Sequence, residues 1–245
     1  ISMRTLMARA PVGLVGAFVA GLMVQAFFAM TPYYGQEIGL TTAQTAKFMS
    51  ITTLVALIAQ WTLGRISDRF DRRKVILCMA LVMTISGILI VFAARSSYWL
   101  LVFVASFHTA MLHTLYSLSL AHTHDWLEPE ETIQANAKIL MCYGVGSIVG
   151  PFSASLLMQG MGPDGLWLFL GAAALGLALF IVYRLWRREP VMAPEEQEPY
   201  TPLVPMVEST HYINELDPRH GPYQYELDLE GEPDLSLDES SSQPT

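Results

Sequence analysis

Gly64-Arg65-Ile66-Ser67-Asp68-Arg69-Phe70-Asp71-Arg72-Arg73-Lys74 is the stretch on which the reading of this chain turns. Five cations and two acids fall within these eleven residues. Residues 48–64 carry no charge, and neither do residues 75–94. A helix needs about 20 apolar residues to cross roughly 30 Å of hydrocarbon. The stretch therefore reads as a tight loop joining two membrane spans, and its cations mark the cytoplasmic side.

Composition agrees with that reading. The 245 residues are 52% hydrophobic and only 15% charged, too apolar for an ordinary soluble domain of this length. The net charge of −8 conceals a segregation. Residues 1–188 balance to +5 and residues 189–245 to −13. A basic membrane body is followed by an acidic tail. Cys78 and Cys142 each sit inside an apolar run, with no Cys-x-x-Cys or Cys/His spacing, so they read as small packing residues.

Six uncharged apolar runs stand out, at residues 11–34, 48–63, 75–94, 98–121, 139–159 and 166–183. Each is long enough for a tilted spanning helix, and none shows the alternation of a barrel strand. The expected fold is all-α, a polytopic membrane domain of six helices over residues 1–188. With the first end inside, eleven Lys and Arg lie on the inner side, against Lys47 and Arg95 outside. Both termini are then expected in the cytoplasm. Thr41 or Thr42 can cap the second span, and residues 160–165 have turn chemistry. Pro129-Glu130-Glu131-Thr132 suits the start of a short helix leading into the fifth span.

Residues 189–245 hold 9 of the 14 prolines and end near Ser240-Ser241-Ser242. Their composition predicts a disordered, acidic cytoplasmic tail. The chain begins at Ile1 without a segment that reads as a signal peptide, and is expected to be a piece of something longer.

In the charged loop, Gly64 is suited to ending a helix and admitting a neighbouring backbone. Asp68 is placed to accept hydrogen bonds from cations and to hold one conformation of a two-state machine. The plainer reading makes the cations topology signals and Asp68 their local neutraliser. The segment resembles the loop signature of the major facilitator superfamily, G-x-x-x-D-R-x-G-R-[RK], between the second and third helices of a six-helix half. Gly64, Asp68, Arg69, Arg72 and Arg73 match it, and Asp71 stands where the pattern has glycine. The resemblance implies a gating role at the cytoplasmic side for the matching residues. Gly146-Ser147-Ile148-Val149-Gly150-Pro151 resembles the G-x-x-x-G-P element of proton-coupled antiporters. Small residues four apart allow close helix approach, and Pro151 loosens the helix locally. Tyr116-Ser117-Leu118-Ser119-Leu120-Ala121-His122-Thr123-His124-Asp125, with the charged loop, is similar to the YcaD-like bacterial branch of that family, at the level of its carboxy-terminal half. The resemblance implies a bacterial inner membrane as the setting.

No Asp, Glu, Lys or Arg lies inside the six runs. An ionised group at the bilayer centre costs about 2.5–3.5 kcal/mol on insertion scales, so its absence does not argue against transport. The polar residues within the runs include Gln25, Tyr33, Gln60, His108, His113, Tyr116 and Ser117. His113, Tyr116 and Ser117 fall at i, i+3 and i+4, on one helical face. His108 lies about 140° away from His113 around the helix. The fold analogy lines the central cavity with the first and fourth helices of each half. Gln25, His113, Tyr116 and Ser117 are therefore the candidates for contact with substrate or a coupling proton. His122, His124 and Asp125 have a poor spacing for a metal, and no cofactor is expected.

The chain thus reads as half of a secondary transporter that moves a small solute by alternating access. Its expected partners are the lipid bilayer, a small-molecule substrate, protons as a coupling-ion candidate, and either a missing amino-terminal half or a second copy of itself. A half-size homodimeric transporter and a non-transporting scaffold with an interaction tail stay open. No enzyme active site and no nucleic-acid surface are legible.

Overall fold

A computed structural model describes residues 2–128 and 131–187. The expected tail, residues 189–245, lies outside the described residues, as do Pro129 and Glu130. Seven helices make up the described chain, and it contains no strand. A short α1, Met3–Arg9, leads into six long helices. These are α2 Pro11–Glu37, α3 Thr42–Ser67, α4 Arg72–Ser96, α5 Tyr98–His124, α6 Thr132–Met161 and α7 Gly165–Trp186. All six are long and apolar enough to cross a membrane.

The helices run past the apolar runs of the sequence because local chemistry, not hydropathy, ends them. Thr41 caps α3 in a full capping box, its hydroxyl accepting from Gln44 N while the Gln44 side chain accepts from Thr41 N. Asp71 caps α4, accepting from Arg73 N at 3.0 Å, and Ser97 caps α5. Gly162 closes α6 at φ 73°, a conformation open to glycine and strained for other residues. The short helix expected before the fifth span is instead its first two turns, since α6 is continuous from Thr132. Gly64 does not end α3, which runs on to Ser67 with Asp68 as its C-cap.

Inside the bundle, α2 and α5 are the central pair. In each, 67% of the apolar window is buried by other helices, against 22% in α3 and in α6. The α2 helix packs chiefly on α6 and α5, α4 on α7 and α5, and α3 on α5. The outward faces of α3 and α6 carry Leu54, Ile58 and Trp61, and Ile148 and Phe152, all largely exposed. Apolar surface of this extent calls for lipid or further helices against it.

Backbones meet where glycines allow it. A Cβ on Gly146 would fall on the Phe18 carbonyl oxygen and 2.9 Å from Leu22 N. One on Gly150 would fall on the Leu22 carbonyl. From the other side, Gly21 of α2 meets the Tyr143 carbonyl of α6. Lipid tails are as apolar as the helices, so close van der Waals approach of this kind is what draws spans together. Gly146 and Gly150, four residues apart, both lie in this close approach, with Pro151 half-buried just beyond them inside α6.

Candidate functional site

At one end of the bundle the loop between α3 and α4 meets the end of α5, and Arg73 at the start of α4 shares a cavity with Arg184 near the end of α7. This end carries most of the cations, and we call it the basic end. Its centre is Arg72, in the first turn of α4 and only 1% exposed. The guanidinium donates to Asp68 Oδ1 at 3.0 Å, to the Ala121 carbonyl at 3.0 Å, and to Asp125 Oδ1. Asp68 is the C-cap of α3 and Asp125 the C-cap of α5. One cation therefore ties the ends of three helices. The Asp125 carboxylate is 2% exposed and that of Asp68 33%. The inner pair is shielded from water and strengthened by low dielectric, while the outer one can exchange with solvent.

The other residues of the loop divide around this centre. Arg73 is buried, its Nε 3.4 Å from Asp71 Oδ1. Arg69 is exposed. Gly64 is buried, and its carbonyl accepts from Asp68 N and from the Ser67 hydroxyl. Asp71, where the family pattern has glycine, sits at φ −56° and ψ 113°. That conformation needs no glycine, and the carboxylate serves as a helix cap instead.

Asp125 was missed as a partner of the loop. The available signal was parity. The fourth span ends on the same side as the loop after the second, so an acid at that end is within reach of the loop arginines.

Midway along the bundle the polar residues point to different neighbours. Gln60 of α3, 5% exposed, donates through Nε2 to the His113 carbonyl at 3.3 Å and to Ser117 Oγ at 3.4 Å. Tyr116 is buried and meets the Tyr143 ring of α6 edge-on at 4.8 Å. The His113 ring packs edge-on to Phe28 of α2 at 5.6 Å. The i, i+3, i+4 spacing sets these three residues in one sector of α5, but that sector is wide enough to face three helices. Tyr116 and Ser117 are occupied by α6 and α3. His113 Nδ1 donates to the Thr109 carbonyl at 2.9 Å, which leaves Nε2 as the lone-pair nitrogen. That atom is buried without a partner among the described residues. Gln25 lies on an exposed face of α2, and Tyr33 near the same helix's end is 50% exposed. His108 points the opposite way, its Nδ1 3.0 Å from Ser86 Oγ and its ring against Trp167 of α7.

Comparison with known proteins agrees with this architecture. Residues 13–217 match the model of the Major Facilitator Superfamily. Curated relatives called uncharacterized MFS-type transporter YcaD, from Salmonella paratyphi B, Salmonella newport and Salmonella enteritidis, are each 25% identical over 167 residues. The aligned part is 68% of this chain and 42% of each relative, so the chain spans about two-fifths of their length. No solved structure matches. Six apolar helices, a charged loop joining the second to the third, and a match over most of its length mean that this chain is a multi-pass membrane protein of the Major Facilitator Superfamily, in its YcaD-like branch.

Proposed function

We propose that the chain is the carboxy-terminal six-helix half of a secondary transporter that carries a small solute by alternating access, with the basic end and both chain termini in the cytoplasm. The observation that carries this reading is the Asp68–Arg72–Asp125 cluster. It joins three helix ends through one buried guanidinium, and one of its two acids remains in contact with water. A carrier that rocks between two states needs contacts at its ends that form in one state and release in the other. The buried Arg72–Asp125 pair suits a permanent tie, and the half-exposed Asp68 suits the releasable contact. Eleven cations on the basic side against two on the other support the orientation. Alignment to 42% of the relatives' length supports a half-transporter, and the exposed α3 and α6 faces suit contact with a second six-helix unit.

Within this reading Gln25 faces the cavity between halves, and His113 Nε2 is the acceptor for a substrate hydrogen bond or a coupling proton. Tyr116 and Ser117 shape that wall through Tyr143 and Gln60. The reading makes the protein a carrier of solute, not a catalyst.

The test is flux in inverted membrane vesicles made with the full-length protein, screened over a panel of solutes and proton gradients. Asp68→Asn is expected to lower flux by up to about fivefold, the effect of roughly 1 kcal/mol on one conformational step, while the amount inserted stays unchanged. Full flux in Asp68→Asn would remove the gating role and leave the loop as a topology signal alone. The intact mass of the protein taken from its own membrane separates the half from a self-sufficient dimer. A mass near 27.2 kDa would favour two copies of this chain.

A further inference from the structure

We infer that residues 189–205, the acidic segment that follows α7, dock on the loop between α3 and α4 at its exposed Arg69, Phe70 and Lys74. The segment lies outside the described residues. It carries Glu189, Glu195, Glu196 and Glu198 and no Lys or Arg. Val191, Met192 and Tyr200 stand among these acids.

The bundle fixes where the segment starts. Arg184, in the last turn of α7, and Arg73, in the first turn of α4, line one cavity. The chain therefore leaves α7 beside the start of α4 and the loop that precedes it. An extended chain covers about 3.3 Å per residue, and a helix with its side chains is about 10–12 Å across. Residues 189–205 can thus reach any part of that loop.

Ion pairing at the basic end leaves this loop open. Arg9 is held by Glu131, Arg72 by Asp68 and Asp125, and Arg73 by Asp71. Of the acids described at this end, only Glu128 makes no ion pair with a described residue. Arg65 lies over the Trp61 ring at 5.0 Å and Arg187 over the Tyr183 ring at 5.2 Å, both rings exposed near the ends of spanning helices. Such cation and aromatic pairs suit the headgroup layer. Arg69 and Lys74 differ. Both are exposed and pair with no carboxylate among the described residues. Between them Phe70 is 59% exposed, and it lies past the end of α3 and before the start of α4. A headgroup phosphate answers the two cations and leaves the ring uncovered. A segment that mixes glutamates with apolar side chains answers both. Each exposed pair is weak by itself. A short covalent link offsets that weakness, because it holds the segment at a high effective concentration beside the loop.

The test uses the full-length protein in phosphatidylcholine nanodiscs, with photoreactive benzoylphenylalanine in place of Phe70. Cross-linked peptides are mapped by mass spectrometry, and the mass of the product separates one chain from two. The expected product joins position 70 to a peptide within residues 189–205 of the same chain. Salt at about 1 M, which screens charges beyond ~3 Å, is expected to lower its yield severalfold. Glu189→Gln, Glu195→Gln, Glu196→Gln and Glu198→Gln together are expected to lower it about fivefold, the loss of several weak surface pairs. Arg69→Gln with Lys74→Gln is expected to do the same from the other side. Lys47→Gln, an exposed cation at the opposite end of α3, is expected to leave the yield unchanged. The same label in place of Lys74 covers the case in which position 70 does not accept it. Cross-links to lipid, to a second copy or to peptides outside residues 189–205 would overturn the docking, and so would a yield that ignores the four glutamates. No cross-link from either position would overturn it as well.

Discussion

The seam between α2 and α6 and the cluster at the basic end hold helices together by opposite means. In the seam, backbone lies on backbone. Gly21, Gly146 and Gly150 have no side chains, and the carbonyls of Phe18, Leu22 and Tyr143 occupy the space a Cβ would take. The contact is spread over many weak dispersion terms and has a single good arrangement. At the basic end the contact runs through side chains. One arginine bridges them through long side chains and three acceptors. Such a contact is strong per atom but can release one partner and keep the others. The proposed alternating access would use both kinds, a seam that does not give and an end that does.

The sharpest way to break that contrast is at Arg72. Arg72→Ala leaves the Asp125 carboxylate buried without its cation, and the expected loss is about 3–5 kcal/mol. A thermal-unfolding scan in detergent should show the largest fall of any substitution here. A small fall would mean that water or another cation takes over, and that the cluster is not the tie described. Next comes the seam. Gly150→Leu should cost about 1–3 kcal/mol or more by forcing α2 and α6 apart. Gly160→Leu on the same helix should be far milder, because its Cβ would meet nothing within 4 Å. Equal losses at the two glycines would reduce the seam to helix propensity.

Smaller in stability is Asp68→Asn. Its partner Arg72 keeps Asp125, and the lost pair is partly exposed, so a change of at most about 1 kcal/mol is expected. A stability loss matching that of Arg72→Ala would erase the distinction between a permanent and a releasable partner. Smallest is Gln25→Ala, on an exposed helix face, expected within about ±0.5 kcal/mol. Its sharpening value lies in flux. A change in substrate selectivity with unchanged melting would mark Gln25 as a cavity residue, and unchanged selectivity would return it to the lipid-facing or packing surface.

Much of this fold was legible before any coordinates. Uncharged runs of about 20 residues have one solution in a bilayer, the helix, because every backbone group must bond within its own segment. The charged loop marked one end, and the Gly146/Gly150 spacing marked a close approach. The helix ends were less legible. Hydropathy stops where charge begins, but α3 continues through Gly64 to Ser67 and α6 starts at Thr132, with their first and last turns outside the apolar run. The site was legible only in part. Asp68 and Arg72 were visible as neighbours in the chain, at i and i+4. Asp125, 53 residues from Arg72, was not. His113, Tyr116 and Ser117 were placed in one sector, yet which helix each would meet depends on the arrangement of α2, α3 and α6 around α5.

Sequence by itself determined the number of spans and their grouping of charge at one end, because hydrophobic length and the placement of Lys and Arg act locally along the chain. Tertiary structure alone decided that Arg72 is buried between two acids, that Gly21 meets the α6 backbone, and that Arg73 faces a cavity walled by Arg9 and Arg184. Each of these joins residues from different helices. Their distance is set by how closely the helices can approach and by the angle at which they cross, and no local pattern encodes that.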